Sequence, residues 1–166
     1  MDREKINTAA GELVELLKAN GMHIALAESC TGGLLAKSIT DIAGASDVFE
    51  CGLVTYSSEM KKRLLGVDAE LLDNEGPINA DTAVAMAEGA RRTADADIGV
   101  GITGVAGPGP DGDHPEGEIH IGLSDGKKNR FVSLKTGTEN ERDYNRQLAA
   151  LTALQLAAEY IREKEG

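Results

Sequence analysis

The chain opens on a helical rhythm. Apolar residues recur at Ile6, Ala9, Leu13, Leu16 and Leu17, the spacing of one helix face over residues 4–20, and Gly21 follows as a stop. A short apolar run at 23–27 has the length of a buried strand. Thr31-Gly32-Gly33 breaks it, and residues 34–42 return to a helical pattern. Residues 49–56 predict a second strand, with Cys51, Leu53, Val54 and Tyr56 compatible with burial. Ser57 and Ser58 are available to cap a helix over 59–65, and 68–73 suggests a further helical turn. Asn79-Ala80-Asp81 starts an Ala-rich helix to about Thr93, with Ala83, Met86, Ala87 and Ala90 on one face.

The second half changes period. Residues 97–103 predict a strand around Ile98-Gly99-Val100-Gly101-Ile102. From Gly107 to Pro115, six residues are Gly or Pro, which predicts a long surface loop. Strands over 118–124 and 130–134 are joined through Asp125-Gly126, a hairpin turn, and 139–163 closes the chain as a helix. Alternating helices and strands predict a three-layer α/β/α sandwich. The hairpin requires an antiparallel strand, so the expected sheet is mixed and mostly parallel. No internal repeat or second domain is visible, and residues 1–166 are expected to form one stand-alone domain.

Composition narrows the function. Of 166 residues, 41% are hydrophobic and 27% charged, but only 3% are aromatic, so the core must be aliphatic. A net charge of −11 argues against nucleic acid as a partner. It leaves room for a small phosphorylated ligand on a local positive patch. Cys30 and Cys51 form no disulfide framework, no signal pattern follows Met1, and no apolar run has membrane-spanning length. A cytoplasmic protein with reduced thiols is expected, making no membrane contact. The apolar faces of 82–93 and 147–161 suggest a homo-oligomer.

Three polar or Gly-rich segments sit at predicted strand ends, at 28–33, 55–61 and 103–109, where ligands bind in open α/β sheets. Ser29 lies at a strand-to-helix turn. It is a candidate nucleophile, and equally Ser29 or Thr31 is a candidate helix cap. A nucleophilic serine needs a base. His23 and His120 fall in predicted strands and His114 in the long loop, so no Ser-His-Asp arrangement is apparent. Lys61 and Tyr56, in one strand-to-helix segment, are the better candidates, because a desolvated lysine can act as a general base. A solvated lysine beside Lys62 and Arg63 is the plainer alternative. Residues 101–109 hold four glycines, a backbone suited to close approach of a ligand, but match neither phosphate-loop nor dinucleotide spacing. Thr103 would donate there or close a strand end. Arg142 and Arg146, four apart, share a helix face, for an anionic ligand or for ion pairs with Glu139, Glu141 or Asp143. No His/Cys pair has metal-ligand spacing, and Asp111, Asp113 and Glu116 do not follow a calcium pattern, so no metal is expected.

Taken together, Ala27-Glu28-Ser29-Cys30-Thr31-Gly32-Gly33, Val54-Thr55-Tyr56-Ser57-Ser58-Glu59-Met60-Lys61, Leu64-Leu65-Gly66-Val67 and Thr103-Gly104-Val105-Ala106-Gly107-Pro108-Gly109 resemble the CinA C-terminal domain family over essentially the whole chain. That family includes the nicotinamide-nucleotide amidases. The resemblance implies hydrolysis of nicotinamide mononucleotide to nicotinic acid mononucleotide and ammonia, without metal or other cofactor. It implies Ser29 as nucleophile, with Lys61 and Tyr56 as activating partners. Cys30, Thr31, Gly32, Thr103 and Gly104 would hold substrate or oxyanion, and Arg146 the phosphate. Larger members carry an N-terminal domain whose activities are not carried over. Departures stand at Cys51, at 76–79, at 114–117 and at 140–142, the last two where recognition is decided. Two competing readings remain: Cys30 as nucleophile at the same helix start, and a non-catalytic pyridine-nucleotide sensor.

Overall fold

The two periods close into one five-stranded sheet with helices on both faces. A computed structural model describes residues 3–137 and 141–166. Helix α1 (Arg3–Ala19) leads to β1 (Ile24–Glu28), α2 (Leu34–Thr40) and β2 (Phe49–Val54). Then come α3 (Ser58–Leu65), α4 (Ala69–Glu75), α5 (Ala80–Ala94) and β3 (Ile98–Gly104). The hairpin of β4 (Glu118–Ser124) and β5 (Asn129–Lys135) precedes α6 (Arg142–Glu165). Three helix starts are set by side-chain caps: Ser57 accepts from the Met60 amide, Asp68 from Glu70, and Asn79 from Thr82.

The strand order is β2-β1-β3-β4-β5. Ladders β1–β2 and β1–β3 are parallel, and β3–β4 and β4–β5 antiparallel, so four strands share a direction and β4 opposes them. On one face α1, α2 and α6 cover Ile24, Leu26, Ile98, Val100, Ile102, Ile119, Ile121 and Leu123. On the other, α3, α4 and α5 pack on Ala25 and Ala27. The Gly99 and Gly101 alternation in β3 has a steric cause. A Cβ on Gly101 would lie 2.3 Å from the Ala83 carbonyl oxygen, so α5 rests directly on the sheet backbone.

Three expectations shift. His23 stands before β1, half-exposed, with Asp97 and Glu50 as ionic neighbours. Val54 and Tyr56 are exposed, because β2 is an edge strand and Tyr56 lies beyond its end. Most apolar residues of α5 and α6 that suggested an oligomer, among them Met86, Ala87, Leu154 and Ala157, are buried within one chain, while Val84, Ala85, Leu148 and Leu151 are half-buried. No helix among the described residues is long and apolar enough to cross a membrane.

Candidate active site

Parallel strands place their carboxyl ends on one edge. Because β2 and β3 flank β1, the chain leaves β1 toward both sides and opens a crevice there. Ser29 follows β1, Thr55 and Tyr56 follow β2, and Thr103 and Gly104 end β3. The three segments therefore meet. They line a cleft of about 240 Å³ with Ser29, Cys30, Tyr56 and Lys61 on one side and residues 103–111, Pro77, Ile78 and Arg142 around the rest.

Lys61, one turn into α3, is 1% exposed, unlike its neighbours Lys62 and Arg63. Its Nζ lies 3.1 Å from Ser29 Oγ, 2.8 Å from the Thr55 carbonyl and 3.4 Å from the Tyr56 carbonyl. None of the ion pairs among the described residues involves it. Burial pushes its ammonium down from the ordinary 10.5 to about 8, against a smaller opposing effect of Cys30. A neutral amine keeps two protons and one lone pair. With two carbonyls accepting the protons, the lone pair is left for Ser29 Oγ.

The turn after β1 is built around a buried carboxylate. Glu28, 1% exposed, accepts from the amides of Gly33 and Leu35 at 3.1 Å on one oxygen and of Ala36 at 2.8 Å on the other. It, rather than Ser29 or Thr31, satisfies the start of α2. Those amides are therefore not open to a phosphate. Thr31 is fully buried, and neither Thr31 nor Gly32 lines the cleft; Gly32 and Gly33 take positive φ, 59° and 96°, to turn the loop. Arg146 donates to the carbonyls of Cys30 at 3.1 Å and Thr31 at 2.9 Å, and it does not line the cleft either.

The Tyr56 phenol accepts from Arg142 at 3.4 Å; its contact to Lys61 is through the main chain. Arg142 also donates to the Gly107 carbonyl, joining two sides of the cleft. The ion pairs open to Arg142 and Arg146 with Glu141 or Asp143 do not form, and Glu139 and Asn140 lie outside the described residues. The Thr103 hydroxyl donates to the Pro77 carbonyl at 2.6 Å and so braces the cleft wall. His114 and His120 both bind Glu118, His120 also meets Ser133, and neither histidine lines the cleft. Cys30 lines the cleft, but burial above all pushes its thiol up to about 11, which keeps it protonated and disfavours it as nucleophile. Glu28 escaped the sequence reading. The available signal was a carboxylate ending an apolar run just before a helix start.

The CinA C-terminal domain family matches residues 6–161. A CinA-like protein of Geobacter sulfurreducens is 46% identical over 154 residues, 89% of this chain and 36% of that protein. Another from Anaeromyxobacter dehalogenans is 43% identical over 145 residues, 87% and 35% respectively. The chain thus spans little more than a third of the length of these relatives. A competence/damage inducible protein from Agrobacterium tumefaciens superposes with a TM-score of 0.87 at 34% identity, over 92% of this chain and 93% of that one. A CinA superfamily protein from Klebsiella pneumoniae gives 0.90 at 26% identity, over 95% and 98%. With fold and sequence agreeing over nearly its full length, the chain belongs to the CinA C-terminal domain family.

Proposed function

We propose that this domain is an amidohydrolase that converts nicotinamide mononucleotide to nicotinic acid mononucleotide and ammonia, with Ser29 as nucleophile and Lys61 as its base. The observation that carries the chemistry is the 3.1 Å contact between Ser29 Oγ and a buried amine whose other partners are main-chain carbonyls. The choice of substrate rests on the family resemblance.

Neutral Lys61 accepts the Ser29 proton as Oγ bonds to the carboxamide carbon, and the carbonyl electron pair moves onto oxygen. The amides of Cys30 and Gly104, residues that border the cleft, are the candidate oxyanion donors, each worth roughly 3–4 kcal/mol. Lys61 returns the proton to nitrogen as the C–N bond breaks and ammonia leaves. Water then gives a proton to Lys61, attacks the ester carbon, and Ser29 departs with that proton. Such acyl transfer needs neither metal nor redox cofactor. Arg142, on the cleft, is better placed than Arg146 to meet a phosphate; Arg146, Thr31 and Gly32 shape the loop behind Ser29.

Ammonia release from nicotinamide mononucleotide, by the wild type and by Ser29→Ala, tests the proposal. Turnover by the wild type alone is expected. Binding of the nucleotide by folded wild type without ammonia release would replace the amidase with a sensor.

A further inference from the structure

We infer that Glu28 is a positioning residue for the Ser29 nucleophile, one half of a two-sided clamp whose other half is Arg146. The inference rests on reading Ser29 as the nucleophile, and it concerns two charged side chains that the chemistry itself does not use.

Glu28 is a buried carboxylate at the end of a fully buried strand. A buried carboxylate is costly unless donors surround it. Among the described residues no lysine, arginine or histidine pairs with it, and its donors are the amides of Gly33, Leu35 and Ala36. The side chain thus reaches past Ser29 and ties the far end of the loop back to the end of β1. On the other side, Arg146 from α6 holds the carbonyls of Cys30 and Thr31. In a trans peptide the carbonyl and the following amide point opposite ways, so these bonds also set the amides of Thr31 and Gly32. The Gly32 amide closes on the Ser29 carbonyl at 3.0 Å, and the Ser29 amide donates to the Ile102 carbonyl at 3.0 Å. Both main-chain groups of Ser29 are therefore engaged. Its Oγ is left with one side-chain torsion, and Lys61 stands at one of its settings. A purely architectural carboxylate would affect melting alone. A positioning carboxylate also lowers the rate of the folded enzyme, without moving the pH midpoint, because Lys61 belongs to α3 and not to this loop.

The test is the rate at which Ser29 is phosphonylated by a small fluorophosphonate, its Oγ bonding to phosphorus as fluoride leaves, followed by intact mass across pH, in wild type, Glu28→Gln, Glu28→Ala, Arg146→Lys and Arg146→Ala, with Tm recorded for each. Misplacement of the nucleophile predicts slowing on the order of 10²-fold for Glu28→Ala and Arg146→Ala at an unchanged pH midpoint. Glutamine keeps one oxygen for the Gly33 and Leu35 amides and turns an NH2 toward Ala36, so Glu28→Gln should fall between wild type and alanine. Folded Glu28 variants that react at the wild-type rate would overturn the inference. Should Glu28→Ala fail to fold, the isosteric Glu28→Gln decides by the same comparison. The probe contains no nucleotide. A wild type that is phosphonylated at Ser29 but releases no ammonia from nicotinamide mononucleotide therefore refutes the substrate and leaves the clamp measurable.

Discussion

Replacing Lys61 with methionine separates the cost of burying an ammonium from its use as a base. Methionine is unbranched and of similar length, so it fills the same space without charge. In the folded protein the Lys61 ammonium lies near 8, against an ordinary 10.5 in the unfolded chain. A factor of ten in proton affinity is worth about 1.4 kcal/mol, so that interval amounts to about 3 kcal/mol. Between those two values the unfolded chain still holds a proton that the folded chain has released, and raising the pH favours folding. The unfolding free energy of wild type minus that of Lys61→Met should therefore be flat below pH 8. It should then climb at up to about 1.4 kcal/mol per pH unit and level off near 10.5, a total gain of about 3 kcal/mol. Urea titrations of both proteins at several pH values read this directly, because other groups cancel in the difference. A difference that stays level from pH 7 to 10.5 would refute the reasoning: Lys61 would then be an ordinary ammonium, and the base of the mechanism would be lost with it.

The same titration appears in catalysis. Ammonia release should rise as Lys61 deprotonates through about pH 8 and reach a plateau above it, as a pH–rate profile would show. Ser29→Ala should abolish turnover, whereas Cys30→Ala should retain most of it; the reverse result in an ammonia assay would move the nucleophile to the thiol. Arg142→Ala should raise KM for nicotinamide mononucleotide by roughly 10-fold with little change for the riboside that lacks the phosphate, an effect of about 1.4 kcal/mol expected for one lost charged hydrogen bond. Gly101→Ala should destabilise the fold by about 1–3 kcal/mol in urea melts, because its Cβ would press on the α5 backbone.

The elements were readable where local chemistry decides them. Asn79 as a cap and the Ala83, Met86, Ala87 and Ala90 stripe stand as the spacing predicts. Tyr56 was harder, because its exposure depends on β2 being an edge strand, and strand order has no local signature. Lys61 looked like part of a solvated run with Lys62 and Arg63, yet successive helical residues point about 100° apart, so one of three can be buried. Its pairing with Ser29 spans 32 positions; the lack of a suitable histidine points to it, and the family resemblance, not local spacing, sets it above a solvated lysine. Arg142 and Arg146 share a face, but four residues advance about 6 Å along the axis, from the cleft to the back of the Ser29 loop. Glu28 was hidden because its partners are amides, which every residue carries.

The Arg146 half of the clamp also has a place in time. It joins residues 115 and 116 positions apart. During synthesis Ser29 and Lys61 emerge first, and the helix that carries Arg142 and Arg146 follows only after on the order of ten seconds at ordinary elongation rates. Until then Ser29 and Lys61 can meet, but the loop lacks its carbonyl anchor and Ile119, Ile121 and Leu123 lack their cover. With Ser29 as the proposed nucleophile, its reactivity would arrive together with the last layer of the fold.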